Sequence, residues 1–126
     1  MNVLVDTSVW VEHFRKRSDV LVELIELDLV LNHPMVLVEL ACGTPPAPRA
    51  KTLGYIGLLQ PARQATLSEV TAFVERKKLY GLGCGLVDMV LLASTVITPS
   101  ARLWTLDKRL AGLAERFAVA YQPTAH

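Results

Sequence analysis

Short apolar runs alternate along the chain with longer stretches in which apolar residues recur at helical spacing. Residues 3–5 form the first run, and residues 7–16 then carry Val9, Trp10, Val11 and Phe14 at helical spacing. The same reading predicts strands at 3–5, 29–31, 102–105 and 117–121, and helices at 7–16, 19–27, 34–43, 68–78, 86–96 and 107–116, with a short segment around 53–59. Repeated strand-then-helix order predicts an α/β fold with a mainly parallel sheet of four to five strands and helices on both faces.

The chain is expected to form one domain, residues 1–126. Prolines 45, 46 and 48 rule out a continuous helix there and indicate a stiff bend without a domain boundary. A length of 126 residues supports one core, and 52% hydrophobic residues exclude a disordered chain and leave material for an interface.

Neither a membrane span nor a secretory signal is expected. Every apolar run is interrupted by charge well short of the roughly 20 residues that a span needs, and Asp6 falls where a signal peptide would require its apolar stretch. We therefore expect a cytoplasmic protein, in which Cys42 and Cys84 stay reduced.

The formal net charge of +1 provides no bulk field for gathering nucleic acid. Any binding of nucleic acid would therefore depend on local basic residues. Residues 15–17 and 76–78 are the basic runs; they could contact nucleic-acid phosphates, but we favour their interpretation as solvated helix ends. Lys108 and Arg109 are weaker candidates for contact with a phosphate. His13, His33 and His126 have no metal-binding spacing.

Four of the 12 acidic residues lie in apolar surroundings: Asp6, Glu39, Asp88 and Asp107. Isolated buried charge is costly, so each of them needs an explanation. Taken singly, Asp6 and Asp107 could cap helices, Glu39 could lie at the edge of the core, and Asp88 could interact with a helix dipole.

Two of these acids, Asp6 and Asp107, follow predicted strands, at the sheet edge where open α/β folds bind their ligands. Carboxylates gathered there repel one another unless a hard, oxygen-preferring cation lies among them, and Mg²⁺ or Mn²⁺ is such a cation. These ions activate water and neutralise charge on a phosphoryl group, which predicts a phosphodiester substrate.

Four segments carry a resemblance that covers essentially the whole chain: VDTSVWVEHFR, MVLVELACG, GLVDMVLLAS and LWTLDKRL. In this order and spacing they resemble the PIN-domain nucleases, particularly the VapC-type toxins of type II toxin–antitoxin systems. The resemblance implies a PIN-like three-layer α/β/α sandwich and a magnesium-dependent ribonuclease.

The same resemblance implies roles for individual residues. Asp6 and Asp88 would be the principal Mg²⁺ ligands, with Glu39 and Asp107 completing the acidic pocket directly or through water. We take Asp6, Asp88 and Asp107 as the metal ligands and all four acids as the catalytic set. Ser8 and Thr105 would supply supporting hydroxyls. Whether the site binds one metal ion or two stays open.

The resemblance also implies three partners: an RNA substrate, a second copy of the chain in a homodimer, and a VapB-type antitoxin. The C-terminal segment of the antitoxin would occupy a helical groove and the active site. The apolar faces of the second and third helices fit this role, although core packing explains them equally well.

Two other functions are compatible with the α/β pattern. In a haloacid dehalogenase-like phosphatase Asp6 would be a nucleophile, but such enzymes want a second Asp two residues on, where Ser8 stands here. In a non-catalytic PIN-like interaction module the acids would only bind arginines of a partner.

Overall fold

The computed structural model describes residues 1–123 of the chain, so the interpretation of His126 lies outside the described residues. Within that range four strands and seven helices follow one another: β1 (Asn2–Val5), α1 (Thr7–Arg15), α2 (Asp19–Glu26), β2 (Val30–Asn32), α3 (Pro34–Cys42), α4 (Arg49–Gly57), β3 (Gln60–Pro61), α5 (Leu67–Lys77), α6 (Leu86–Ile97), β4 (Ala101–Trp104) and α7 (Lys108–Arg116). The predicted α/β class is confirmed.

The strands form one sheet in the order β3-β2-β1-β4, and all of its pairings are parallel. Strand β1 is central, with Leu4 in register with Leu31 of β2 and with Leu103 of β4. A strand covered on both faces is expected to be continuously apolar, and Val3, Leu4 and Val5 are indeed 0% exposed. Because the strands are parallel, the residues that follow them meet at one edge.

The helices form two layers. The chain steps outwards from β1 to β2 to β3 and then returns past both to β4, and right-handed crossovers place α1 to α4 on one face and α5 to α7 on the other. Contacts agree, since α3 touches α1 and α4, whereas α6 touches α5 and α7; α3 also touches α6. The expected PIN-like three-layer arrangement is confirmed.

Local polar contacts fix where the helices begin. Ser18 caps α2 by accepting a hydrogen bond from the backbone N–H of Leu21. Helix α5 begins at Leu67, one residue earlier than expected, because Thr66 and Glu69 form a capping box.

Three expectations about the elements need correction. Residues 117–121 form no strand; they make a single bridge, between Leu103 and Ala120. The short edge strand β3 was not predicted, since Gln60 and Pro61 are exposed and carry no apolar pattern. Most of the segment around 53–59 belongs to helix α4, which runs from Arg49 to Gly57.

The core surrounds β1 and α6. Every residue from Met89 to Thr95 in α6 is buried, and Trp10 and Trp104 pack in the core. Across residues 1–123 no helix combines the length and the apolar character needed to cross a membrane.

Candidate active site

Asp6 directly follows the central strand β1 and is only 6% exposed. It stands at the N-cap position of α1 without making a capping hydrogen bond. Instead its Oδ2 accepts hydrogen bonds from Ser8 Oγ at 2.8 Å and from Thr105 Oγ1 at 2.7 Å. Two hydroxyls therefore fix the orientation of this buried carboxylate.

These hydroxyls also bind the loop between β4 and α7. Ser8 Oγ accepts from the backbone N–H of Leu106 at 3.0 Å, and Thr105 Oγ1 accepts from that of Asp107 at 3.1 Å. Each hydroxyl thus donates to Asp6 and accepts from the backbone of the neighbouring loop. The resemblance implied supporting hydroxyls at Ser8 and Thr105, and both lie against Asp6.

Asp107 is exposed and caps helix α7, since its Oδ1 accepts from the backbone N–H of Leu110 at 3.0 Å. The structural explanation offered for Asp107 is therefore correct. The cap uses one oxygen, and among residues 1–123 no hydrogen bond engages Oδ2. Capping and ligand binding are compatible at this carboxylate.

Glu39 lies half-buried on helix α3, and Thr7 Oγ1 of α1 donates to its Oε1 at 2.6 Å. This bond joins residues 32 positions apart in the chain. The sequence did not predict the role of Thr7. Its position beside Asp6 was the single indication of a role, and no local pattern identifies Glu39 as its hydrogen-bond partner.

Asp88 lies half-buried in the first turn of α6. Burial raises the pKa of its carboxyl, and the charges of Asp6, Asp107 and Glu39 raise it further, against a lowering hydrogen bond from the backbone N–H of Gly85. The other three predicted acids therefore lie within electrostatic reach of Asp88, at the edge where the strands end.

The donor set fits a hard divalent cation. It consists of carboxylate oxygens, which such cations prefer. The negative charges of Asp6, Asp107 and Glu39 disfavour the ionised form of Asp88, and a bound cation would offset this repulsion. His13 accepts from the backbone N–H of Ser18 through Nδ1, and His33 from that of Met35, so both imidazoles are engaged elsewhere. Within residues 1–123 no group of three or more His, Cys, Asp or Glu is already drawn into a metal-binding arrangement. The acids are near one another without forming a closed ligand shell.

Comparison with known proteins decides the family. A scan against protein-family models finds no match. Two proteins named Ribonuclease VapC32, from two strains of Mycobacterium tuberculosis, are each 42% identical to the chain over 118 residues, which is 94% of this chain and 94% of each relative. The chain belongs to the VapC-type PIN-domain ribonuclease toxins. The resemblance seen in its four sequence motifs is thereby confirmed.

Membership of the VapC family places the four motifs in their structural context. They cover the β1–α1 junction, helix α3, the start of α6 and the β4–α7 junction, so each delivers one acid to the same edge. The phosphatase alternative is disfavoured, because Ser8 replaces the second Asp and donates to Asp6.

Proposed function

We propose that this VapC-family chain is a metal-dependent ribonuclease that hydrolyses RNA phosphodiester bonds. The observation that carries the proposal is the convergence of Asp6, Glu39 and Asp107 on Asp88: burial raises the pKa of Asp88, and the charges of the other three acids raise it further. Gathering like charges at a sheet edge costs stability, so it calls for a compensating function. Both relatives are named ribonucleases, which supports the same conclusion.

In this proposal Asp6, Asp88 and Asp107 hold Mg²⁺, with Mn²⁺ as an alternative ion. When bound, such an ion lowers the pKa of water and offsets the charge that develops on the phosphoryl group. Ser8 and Thr105 hold the Asp6 carboxylate in a fixed orientation by donating hydrogen bonds to its Oδ2. Thr7 holds Glu39 through Oε1 and leaves Oε2 to accept a proton from the attacking water.

The test compares wild-type protein with Asp88→Asn on total cellular RNA, with Mg²⁺ and then with EDTA, and maps new 5′ ends. The matched control is Asp28→Asn, because Asp28 is exposed at the other end of β2 and has a left-handed φ of 58° that asparagine tolerates. Cleavage by wild type and Asp28→Asn alone, abolished by EDTA, is the expected result. Intact RNA with folded, antitoxin-free wild type would favour the interaction module.

A VapB-type antitoxin is the proposed inhibitor. A groove of about 560 Å³ lies between α1, α3 and the proline-rich loop, lined by Val11, Phe14, Arg15, Glu39, Leu40 and residues 43–46. A peptide held there would reach Glu39 and obstruct the acidic site. The groove involves α1 and α3, whereas the sequence had suggested the faces of the second and third helices.

The antitoxin proposal is tested with Val11→Glu, since Val11 lines the groove and is 45% exposed. This variant is expected to cleave RNA as wild type does and to escape inhibition by the co-encoded antitoxin. Unchanged inhibition would place the antitoxin elsewhere.

We also propose that the chain forms a homodimer and acts in the cytoplasm, where its RNA substrate is found. Tyr55 of α4 and Leu58, which directly follows that helix, are 65% and 84% exposed, and such apolar side chains suit an interface between copies. Light scattering should give about twice the monomer mass of 13.9 kDa. A single monomer mass at micromolar concentration would contradict the dimer.

A further inference from the structure

The side chain of Arg109 lies across the backbone of Gly83, in the loop that leads to α6. A Cβ added at Gly83 would meet Arg109 Nη1 at 2.7 Å and Cζ at 3.1 Å. Gly83 also has a φ of +84°, which L side chains rarely adopt. Glycine at this position is therefore what leaves room for the guanidinium.

Arg109 has an unusual electrostatic position. It stands in the first turn of α7, where the helix dipole disfavours a cation. Burial raises the pKa of the Cys84 thiol, and the charges of Asp88 and Asp107 raise it further. The nearby charge of Arg109 acts in the opposite direction. Arg109 is thus a cation at the rim of the acidic cluster.

The guanidinium of Arg109 has no partner among residues 1–123. The arginine side chains that donate hydrogen bonds there are Arg17, Arg49, Arg102 and Arg116. The ion pair found in the same range joins Arg17 to Asp19. The exposed guanidinium of Arg109 therefore lies against Gly83, and its N–H donors are free to bind a ligand.

We propose that Arg109 binds a phosphate of the RNA beside the acidic cluster, and that Gly83 is the residue that positions it. The inference rests on the proposed ribonuclease function and adds a substrate-binding residue to it. A site built from four carboxylates repels a polyanion, and a chain of net charge +1 offers no general attraction. A planar guanidinium can donate two parallel hydrogen bonds to one phosphate, which fixes its orientation as well as its place.

Neighbouring residues supply matched controls. Lys108 is also exposed and carries the same charge one position earlier, without the contact to Gly83. Gly81 has a φ of +71°, close to that of Gly83, but a Cβ there would meet nothing within 4 Å. Gly81→Ala therefore reproduces the backbone strain of Gly83→Ala without displacing Arg109.

The experiment measures binding of a short single-stranded RNA in EDTA by fluorescence anisotropy over a range of salt, and KM and kcat with Mg²⁺. Arg109→Gln is expected to raise Kd and KM about tenfold, the worth of one charge-assisted hydrogen-bonding group. It should also reduce the slope of log Kd against log salt concentration by about the amount that one phosphate contact contributes. Arg109→Lys should fall between wild type and Arg109→Gln.

Gly83→Ala should weaken binding in the same direction, whereas Gly81→Ala and Lys108→Gln should bind nearly as wild type does. Equal Kd and salt dependence for wild type and Arg109→Gln, or equal losses for Lys108→Gln and Arg109→Gln, would overturn the inference. These outcomes are distinct from failure of the proposed function, in which wild type itself would leave RNA intact. Thermal unfolding of each variant shows that a change in Kd does not reflect loss of the fold.

Discussion

At the scale of single residues, Asp6 shows how the fold accommodates a buried charge. Asp6 is 6% exposed and, within residues 1–123, its carboxylate has no cationic partner. The hydroxyls of Ser8 and Thr105 replace lost water, and a hydrogen bond to a charged group contributes about 1.5–3 kcal/mol. The orientation of Asp6 therefore depends on these two side chains.

Thr105→Val is expected to lower the free energy of unfolding by about 1–3 kcal/mol. Valine keeps the shape of threonine but removes the hydrogen bonds to Asp6 and to the backbone N–H of Asp107. Cleavage should fall as well, because Asp6 loses part of its orientation. Urea unfolding and kcat/KM on one RNA measure the two effects.

The control for this variant is Thr71→Val in α5. Thr71 is exposed, and within residues 1–123 its hydroxyl donates to the carbonyl of Leu67 alone. It should change the free energy of unfolding by no more than about 0.5 kcal/mol and should change kcat/KM by no more than the corresponding factor. Equal effects of the two substitutions would refute the special role of Thr105.

At the scale of elements, the strands and helices with strong patterns were predictable within a few residues. The apolar run of β1, the Ser18 cap and Pro34 each mark their element locally. Strand β3 is two exposed residues and exists only through pairing with β2, which no local pattern encodes. The apolar residues after α7 pack their side chains, as Tyr121 does on Trp104, while making one bridge.

The residues of the site likewise differ in whether the local sequence indicates them. Asp6 and Asp107 could be inferred from their places after strands, whereas Glu39 and Asp88 rested on resemblance to a family. The hydrogen bond from Thr7 to Glu39 and the contact of Arg109 with Gly83 depend on tertiary packing. Neither pairing follows from residues adjacent in the chain.

His33 joins two elements, and its titration should make stability depend on pH. Its Nδ1 accepts from the backbone N–H of Met35 at the start of α3, so the proton is on Nε2, 3.0 Å from Ser94 Oγ of α6. Burial lowers the pKa of His33 below 6.5. Protonation would place a second N–H against that of Met35.

The folded state therefore binds fewer protons than the unfolded state between the lowered pKa of His33 and 6.5. The contribution of neutral His33 to the free energy of unfolding is fully present above pH 6.5 and is lost as the pH falls from 6.5 to the lowered pKa. Tm should drop between pH 7.5 and 5.5, and less steeply in His33→Asn, in which asparagine still caps α3.

His13 provides the comparison, because burial and the charge of Arg17 lower its pKa too. His13→Asn should remove a separate share of the slope, so the double variant should be flatter than either single one. A slope that His33→Asn leaves unchanged would show that His33 does not titrate in this window.

At the scale of the whole molecule, the sheet topology concentrates negative charge in a protein that is otherwise nearly neutral. The net charge is +1, yet four carboxylates share the edge where the parallel strands end. Their repulsion opposes folding unless a cation is bound. Metal binding should therefore be visible in global stability as well as in activity.

Mg²⁺ is expected to raise the Tm of wild-type protein, and EDTA to reverse the change. At one hundred times its Kd, an ion that binds only the folded state adds about 2.7 kcal/mol to the free energy of unfolding. Differential scanning calorimetry over a Mg²⁺ titration measures the effect, with Ca²⁺ as a comparison for the size selectivity of the site.

Asp88→Asn should reverse the order of stability between the two conditions. In EDTA the variant is expected to be more stable than wild type, because asparagine removes the charge that Asp6, Asp107 and Glu39 oppose and still accepts from the backbone N–H of Gly85. In saturating Mg²⁺ wild type should be the more stable, because the variant lacks one of the proposed metal ligands. Asp28→Asn should follow wild type in both conditions. If Asp88→Asn were less stable than wild type in EDTA, repulsion among the four acids would not be the force that a cation relieves, and the compensation argument for the metal site would fail.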